Sequence, residues 1–315
     1  MNQRLFPDVN IIRNGIKELK SLDLSSISFD DLDKKVMAHF EAIPCSYGSI
    51  DVGSKLFRAR LNKKKTQRYE YYSDLLAPPS SLIFEFGRAN RPHESVFYTA
   101  TNLQLAAYEV LNKNIRNSNR QYLDEVLTIG IWEVKERLRV ANIIHHPFLI
   151  TSRPSSSLGN QYIDTVLEAN MLPEDIESDK EICKFFSEEF IKEDIKNSES
   201  YKYSALYSYY IEHKHREFYD GINYPSVACK YSGDNQAIFL RSAKDKLIFF
   251  GCVEILCRVY KSHVDKFHFV VLSENKEVFN GKIVWDDFNY KKRNIKNFKN
   301  FILDNDLIDM YTVIR

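Results

Sequence analysis

SVFYTATNLQLAAYEV, residues 95–110, changes its period halfway along. The first six residues, 95–100, are aromatic, β-branched or small and read as a strand. Thr101 and Gln104 then form a capping-box signature, and Leu103, Ala107 and Val110 recur at helical spacing. A strand that passes straight into a helix predicts a mixed α/β architecture, and it sets Glu109 about two turns into that helix. With Ala106, Ala107 and Val110 around it, the Glu109 carboxylate either faces water or is half-buried for a purpose.

Working outward, LFRARL within residues 55–61 predicts a strand that carries Arg58, where an arginine is either a sheet-edge solubiliser or a pocket ligand for an anion. VLTIGIWEV (126–134) alternates as a strand, and residues 174–217 are mostly helical, with Ile182, Phe185, Phe186, Phe190, Leu206, Tyr209 and Tyr210 three and four apart. Short strands follow around 222–224, 236–240, 247–259, 267–272 and 282–285. Together these predict α/β (α+β) topology, a mixed β-sheet core with packed helices. Toward the N-terminus, Ile12, Ile16 and Leu19 mark one amphipathic helix, and Ser28 caps a second that carries Leu32, Val36, Met37 and Phe40. Residues 1–50 are expected to be a small helical N-terminal extension, with SYGSIDVGS as a linker, and residues 51–315 to be the main domain.

The 315 residues, 44% of them hydrophobic, suffice for a sizeable core, and nineteen Tyr and twenty-one Phe make core and pocket surfaces aromatic. Lys plus Arg (44) nearly balances Asp plus Glu (43), which removes the bulk electrostatic argument for a nucleic-acid or membrane partner. Five cysteines, none in a Cys-x-x-Cys pair, suit a reducing cytosol, and no apolar run resembles a signal or a membrane span. The expected location is cytoplasmic. His213 and His215 point about 200° apart on a helix and do not share an ion, and His145-His146 before Pro147 fares no better, so no metal is expected. The run Lys291, Lys292, Arg293, Lys296 and Lys299, interleaved with Tyr290 and Phe298, reads as a solvated face.

Three further features complete a pattern. Gly87-Arg88-Ala89-Asn90 combines a glycine, which lets backbone approach a ligand, with a guanidinium fork and an amide suited to phosphate or ribose. In DGINYPSVACKYSGDN (220–235), a short apolar strand stops at Pro225 and is followed at once by Ser226. The ordered set of Phe57-Arg58, Gly87-Arg88-x-Asn90, Phe97-Tyr98-x-Ala100, Ala106 ahead of Glu109, and Asp220-Gly221-Ile222-x-Tyr224-Pro225-Ser226 resembles the RES domain family. Ala77-Pro78-Pro79 and Asn235-x-Ala237-x-Phe239 extend the resemblance, which covers roughly residues 55–245. Where many members have a glycine, this chain has Asn90-Arg91-Pro92-His93-Glu94. The first 50 residues and those after about 260 lie outside it.

The resemblance implies a bacterial toxin or defence effector with a fold similar to ADP-ribosyltransferases that destroys NAD by phosphorolysis or hydrolysis. It implies Arg58, Glu109 and Ser226 as the catalytic set and Arg88, Asn90, Tyr98 and Asn235 as NAD-binding. The partners it implies are NAD as substrate, phosphate as an acceptor and an antitoxin or immunity protein, with a homo-oligomer left open. Chemically, Glu109 would stabilise a cationic ribose, Arg58 clamp a pyrophosphate and Tyr98 stack on nicotinamide. Ser226 has no evident His-Asp pair, so it is expected to orient ribose or the nicotinamide amide, not to attack. Transfer of ADP-ribose to a protein side chain, and a nucleotide-binding module without activity, are the alternatives.

Overall fold

Alternation of apolar residues along many short segments builds one large sheet, and the helices cover its two faces. The computed structural model of the chain describes residues 4–65, 67–143, 171–193, 195–231, 233–263, 266–291, 295, 298–304 and 311–313. Its strands are β1 (Ser46–Ile50), β2 (Lys55–Leu61), β3 (Val96–Ala100), β4 (Tyr122–Val134), β5 (Leu138–Asn142), β6 (Gly221–Pro225), β7 (Asp234–Phe239), β8 (Leu247–Tyr260), β9 (Phe267–Phe279), β10 (Lys282–Asp287) and β11 (Tyr311–Val313). Their spatial order is β1-β5-β6-β7-β3-β2-β4-β8-β9-β10, with β11 also on β9. Only β5 and β6 run parallel; the other described pairs are antiparallel. The mixed sheet with packed helices expected from the sequence is therefore present.

The sheet is nearly cut in two at its middle. Strand β2 pairs with β4 from Lys55–Glu133 to Leu61–Leu127, and β3 pairs with β7 from Val96–Phe239 to Ala100–Asn235. Between β2 and β3 the ladder has a single pair, Phe57–Ala100. A gap in a ladder leaves backbone groups to be satisfied elsewhere. Arg58 answers part of that need by donating from Nη1 to the Tyr98 carbonyl at 2.9 Å.

Helix α3 (Leu103–Asn117) follows β3 across two residues and lies on the β2/β4/β8 half. Its Leu105, Tyr108 and Leu111 are buried there in one cluster with Leu127, Ile129, Ile255 and Val259. The opposite stripe, which carries Glu109, is left to face the gap. The N-cap is Asn102, whose side chain accepts from the Leu105 N–H at 2.8 Å, and not Thr101 as the capping-box signature suggests. The Thr101 hydroxyl instead turns to the Asp234 carbonyl at 3.4 Å. An amide one residue later in the turn supplies the same acceptor with the better geometry.

Helices α1 (Val9–Ser21), α2 (Phe29–Phe40), α4 (Pro173–Phe190) and α5 (Lys202–Lys214) pack together on the other half of the sheet. Asp8 and Ser28 cap the first two. Ile12, Leu19, Leu32, Val36 and Phe40 share one apolar core with Phe185, Phe186, Tyr203 and the sheet residues Ile222 and Phe239. Residues 46–50 are not the expected linker. They form β1, an outer strand that pairs with β5 from Ser46–Asn142 to Ile50–Leu138, because Ser46 and Gly48 can be buried against that neighbour. Two shorter helices, α6 (Leu240–Lys246) and α7 (Phe298–Asp304), complete the described helical set.

The shared core makes a measurable claim about the N-terminal helices. Phe40 is fully buried, with its ring centroid 5.7 Å from that of Phe185. Phe40→Ala should therefore lower the unfolding free energy by about 3–5 kcal/mol. Denaturant titration followed by circular dichroism checks this. A change below about 0.5 kcal/mol, the size of an ordinary surface substitution, would show the helices to be a loosely attached appendage.

Candidate functional site

The gap between β2 and β3 opens into a cavity of about 1130 Å³. Both halves of the sheet and α3 line it, and Lys192, Glu193, Ile195, Lys196 and Tyr201, from the segment between α4 and α5, line it as well. Arg58, Arg88, Tyr98, Glu109 and Asn235 all reach its wall. The structure thus brings together five of the seven residues singled out in the sequence. The other two, Ser226 and Asn90, are buried directly behind residues of that wall.

Glu109 is fixed by one oxygen. Ser226 Oγ donates to Glu109 Oε1 at 2.5 Å, and Asn235 Nδ2 donates to the same atom at 2.7 Å. Proline ends β6, and the turn that follows is closed by Ser226 N–H to the Gly233 carbonyl at 2.8 Å and Tyr231 N–H to the Ser226 carbonyl at 2.7 Å. Within the turn the Cys229 N–H donates to Ser226 Oγ at 3.2 Å, which leaves the hydroxyl proton for Glu109. Asn235 comes from β7, opposite both Tyr224 of β6 and Ala100 of β3. Ser226 is completely buried, and its hydroxyl is spent on the Glu109 carboxylate. The Asn235 Oδ1 atom is buried without a hydrogen-bond partner.

Arg58 lines the same cavity from β2. Its Nε is buried and unpartnered, and among the described residues no carboxylate pairs with the guanidinium. Burial, followed by the nearby positive charge of Arg60, pulls its pKa down to about 10. It remains a cation at neutral pH. A buried cation without a counter-charge is costly, and an anionic ligand would relieve that cost.

Tyr98 presents its ring to the cavity while its hydroxyl is used elsewhere. The hydroxyl donates to Asn90 Oδ1 at 2.8 Å and accepts from the Ala89 N–H at 2.8 Å. Burial raises the Tyr98 pKa well above the ordinary phenol range, so the ring stays neutral. Asn90 also donates to the Arg91 carbonyl at 2.9 Å, and its role is to pin the 87–90 turn to β3. Gly87 is required there, since a Cβ would lie 2.3 Å from Asn90 Oδ1. Arg88 crosses the cavity wall to the end of α4, donating to the Phe190 carbonyl and, at 3.2 Å, to that of Lys192, with its guanidinium 5.1 Å from the Tyr201 ring.

Sequence reasoning missed Lys113 and Arg116. Both line the cavity, four and seven residues beyond Glu109 on the same stripe of α3. The signal was present in that spacing. Of the other candidates, His213 lies 3.7 Å from Glu94, and His145 and His146 fall outside the described residues. So do Lys292, Arg293 and Lys296 of the basic run, whose Phe298 is buried in an apolar cluster with Leu256 and Leu272. Among the described residues, no three His, Cys, Asp or Glu side chains are grouped to hold a metal, and no helix is long and apolar enough to cross a membrane. No family model matches the chain, and no curated protein does.

The anchoring of Glu109 can be tested without knowing the ligand. Ser226→Ala removes the donor to Oε1 and the acceptor of the Cys229 N–H together. It should reduce stability by about 1–3 kcal/mol, the cost of leaving buried polar groups unpaired. Thermal unfolding of Ser226→Ala beside Ser226→Thr measures it, since threonine keeps the hydroxyl; equal stability of parent and alanine variant would show the hydrogen bond to be idle.

Proposed function

We propose that the protein cleaves the bond between nicotinamide and ribose in NAD, with phosphate or water as acceptor, in an ADP-ribosyltransferase-like fold of the RES type. The observation that carries this reading is one cavity lined by Arg58, which has no carboxylate partner among the described residues, and by a carboxylate, Glu109, held on one oxygen by Ser226 and Asn235. The first matches an anionic pyrophosphate and the second a sugar that becomes cationic. A cavity of about 1130 Å³ exceeds the roughly 300–1,000 Å³ of a typical small-ligand pocket, which suits a dinucleotide.

In this reading the C1′–N bond breaks with its electron pair going to the pyridinium nitrogen, so neutral nicotinamide leaves without an acid. The ribose develops oxocarbenium character. Glu109 has both of its donors on Oε1, which leaves Oε2 to face that charge. Arg58 supplies the positive charge that holds the pyrophosphate, and the Tyr98 ring offers a stacking surface. An acceptor oxygen then bonds to C1′, giving ADP-ribose and a proton with water, or ADP-ribose 1-phosphate with phosphate. Such consumption of a central cofactor fits a toxin or defence effector acting inside the cell.

Incubating the purified protein with NAD, with and without phosphate, and identifying the products tests the reaction. Free nicotinamide with ADP-ribose or its phosphate is expected; label retained on protein would instead favour ADP-ribosyl transfer, and intact NAD would overturn the proposal. Glu109→Gln should lower single-turnover rates about 100- to 1,000-fold with little change in NAD binding. Arg58→Ala should weaken binding and rate together, because a phosphate clamp acts in the ground state too. A Glu109→Gln protein that turns over near the parent rate would sink the mechanism.

A further inference from the structure

The charge around the cavity is out of proportion to the charge of the chain. The whole molecule is nearly neutral, at +1. The cavity wall carries six cationic side chains, Arg58, Arg88, Lys113, Arg116, Lys192 and Lys196. Against them stand three carboxylates, Glu85, Glu109 and Glu193, a local surplus of three positive charges among the described lining residues. Arg58 accounts for one anionic group in the reading above. Arg88 is taken up by two backbone carbonyls and Lys192 by Glu189 at 3.0 Å, and of the three that remain, Lys113 and Arg116 stand on the Glu109 stripe of α3.

These two are not absorbed by the protein's own carboxylates. Lys113 is exposed and, among the described residues, stands in no ion pair. Arg116 meets Glu193 at 3.9 Å, with both side chains largely exposed, and Glu193 also accepts from the Tyr231 hydroxyl at 3.1 Å. A screened contact of that length contributes little. On an α-helix, four and seven residues correspond to rises of about 6 and 10.5 Å, so Lys113 and Arg116 extend from the reacting end of the cavity toward its rim. Asn112 and Asn117 beside them add amide donors.

We propose that Lys113 and Arg116 form a second phosphate subsite, separate from Arg58, which takes a phosphate dianion alongside the pyrophosphate of the substrate. The inference rests on the NAD reading for its pyrophosphate but not for its own charge. Two sources supply such a group: free inorganic phosphate, and a phosphate carried on the distal ribose of the dinucleotide. Lysine supplies a point charge and arginine a fork, the usual pair for holding a phosphate that must be bound and released.

The test measures binding first, on the full chain and without turnover. Inorganic phosphate is titrated into the parent, Lys113→Ala, Arg116→Ala and the remote control Lys276→Ala, and followed by phosphorus NMR line broadening. The parent and Lys276→Ala should bind it alike, and each cavity variant should bind it about tenfold more weakly. The affinity should fall as salt is raised. The same proteins are then titrated with NAD and NADP. NADP favoured over NAD in the parent, with the preference lost in the variants, assigns the subsite to the ribose phosphate. Equal affinity for the two dinucleotides, with phosphate binding retained, assigns it to free phosphate. Phosphate and NADP binding unchanged in both variants, or absent from the parent, overturns the subsite. NAD cleavage by the parent in that case leaves the proposed reaction standing, whereas phosphate binding without cleavage overturns the reaction alone.

Discussion

Strands β2 and β3 meet at one residue pair, Phe57 and Ala100, although each is fully paired with its other neighbour. A continuous ladder there would leave no space between the two halves of the sheet. The gap removes hydrogen bonds that a central strand normally makes, and the Arg58 guanidinium returns one of them across it to the Tyr98 carbonyl. The same side chain thereby bridges the two halves and lines the cavity that their separation creates. Its Nη1 is used for the fold and its Nε is left over.

Two kinds of polar group stand on this cleft, and they differ in how they are balanced. Glu109 is supplied with donors from two other elements, the turn after β6 and strand β7. Because Cys229 N–H fills the Ser226 oxygen, the serine proton has one direction in which to point, and the carboxylate is held by a network of which the serine is the inner member. Arg58 has no such compensation. An anion anchored through one oxygen and a cation without a counter-charge thus line the same cavity, each held in place by the fold.

Much of the local structure was legible because it depends on residues close in sequence. The strand at 55–61, the cap Ser28 and the end of β6 at Pro225 follow from alternation, a hydroxyl cap and the missing proline N–H. β1 was not legible, since Ser46 and Gly48 have no apolar signature and become strand residues through β5, about ninety positions away. The cap of α3 was displaced by one residue because Thr101 and Asn102 are both competent, and tertiary contacts with Asp234 decide between them. The site was legible as a set of residues but not as a set of roles. Asn90 and Ser226 look like ligand contacts in sequence, while burial gives both of them to a neighbouring side chain.

That division of labour explains why a serine stands directly after a proline at the end of a strand. Pro225 ends the ladder without leaving an unpaired donor, and the chain then turns tightly enough for Gly233 and Tyr231 to close on Ser226. A long polar side chain such as glutamine would overpack a position with no exposed surface. A side chain without a hydroxyl would remove the acceptor offered to the Cys229 N–H and one of the two donors to Glu109 Oε1. The turn is therefore built around one small donor, and it carries the position of the β6–β7 half of the sheet into the orientation of a carboxylate on α3, which is packed on the other half. Glu109 thus ties together, beside Arg58, the two halves that otherwise meet at Phe57 and Ala100.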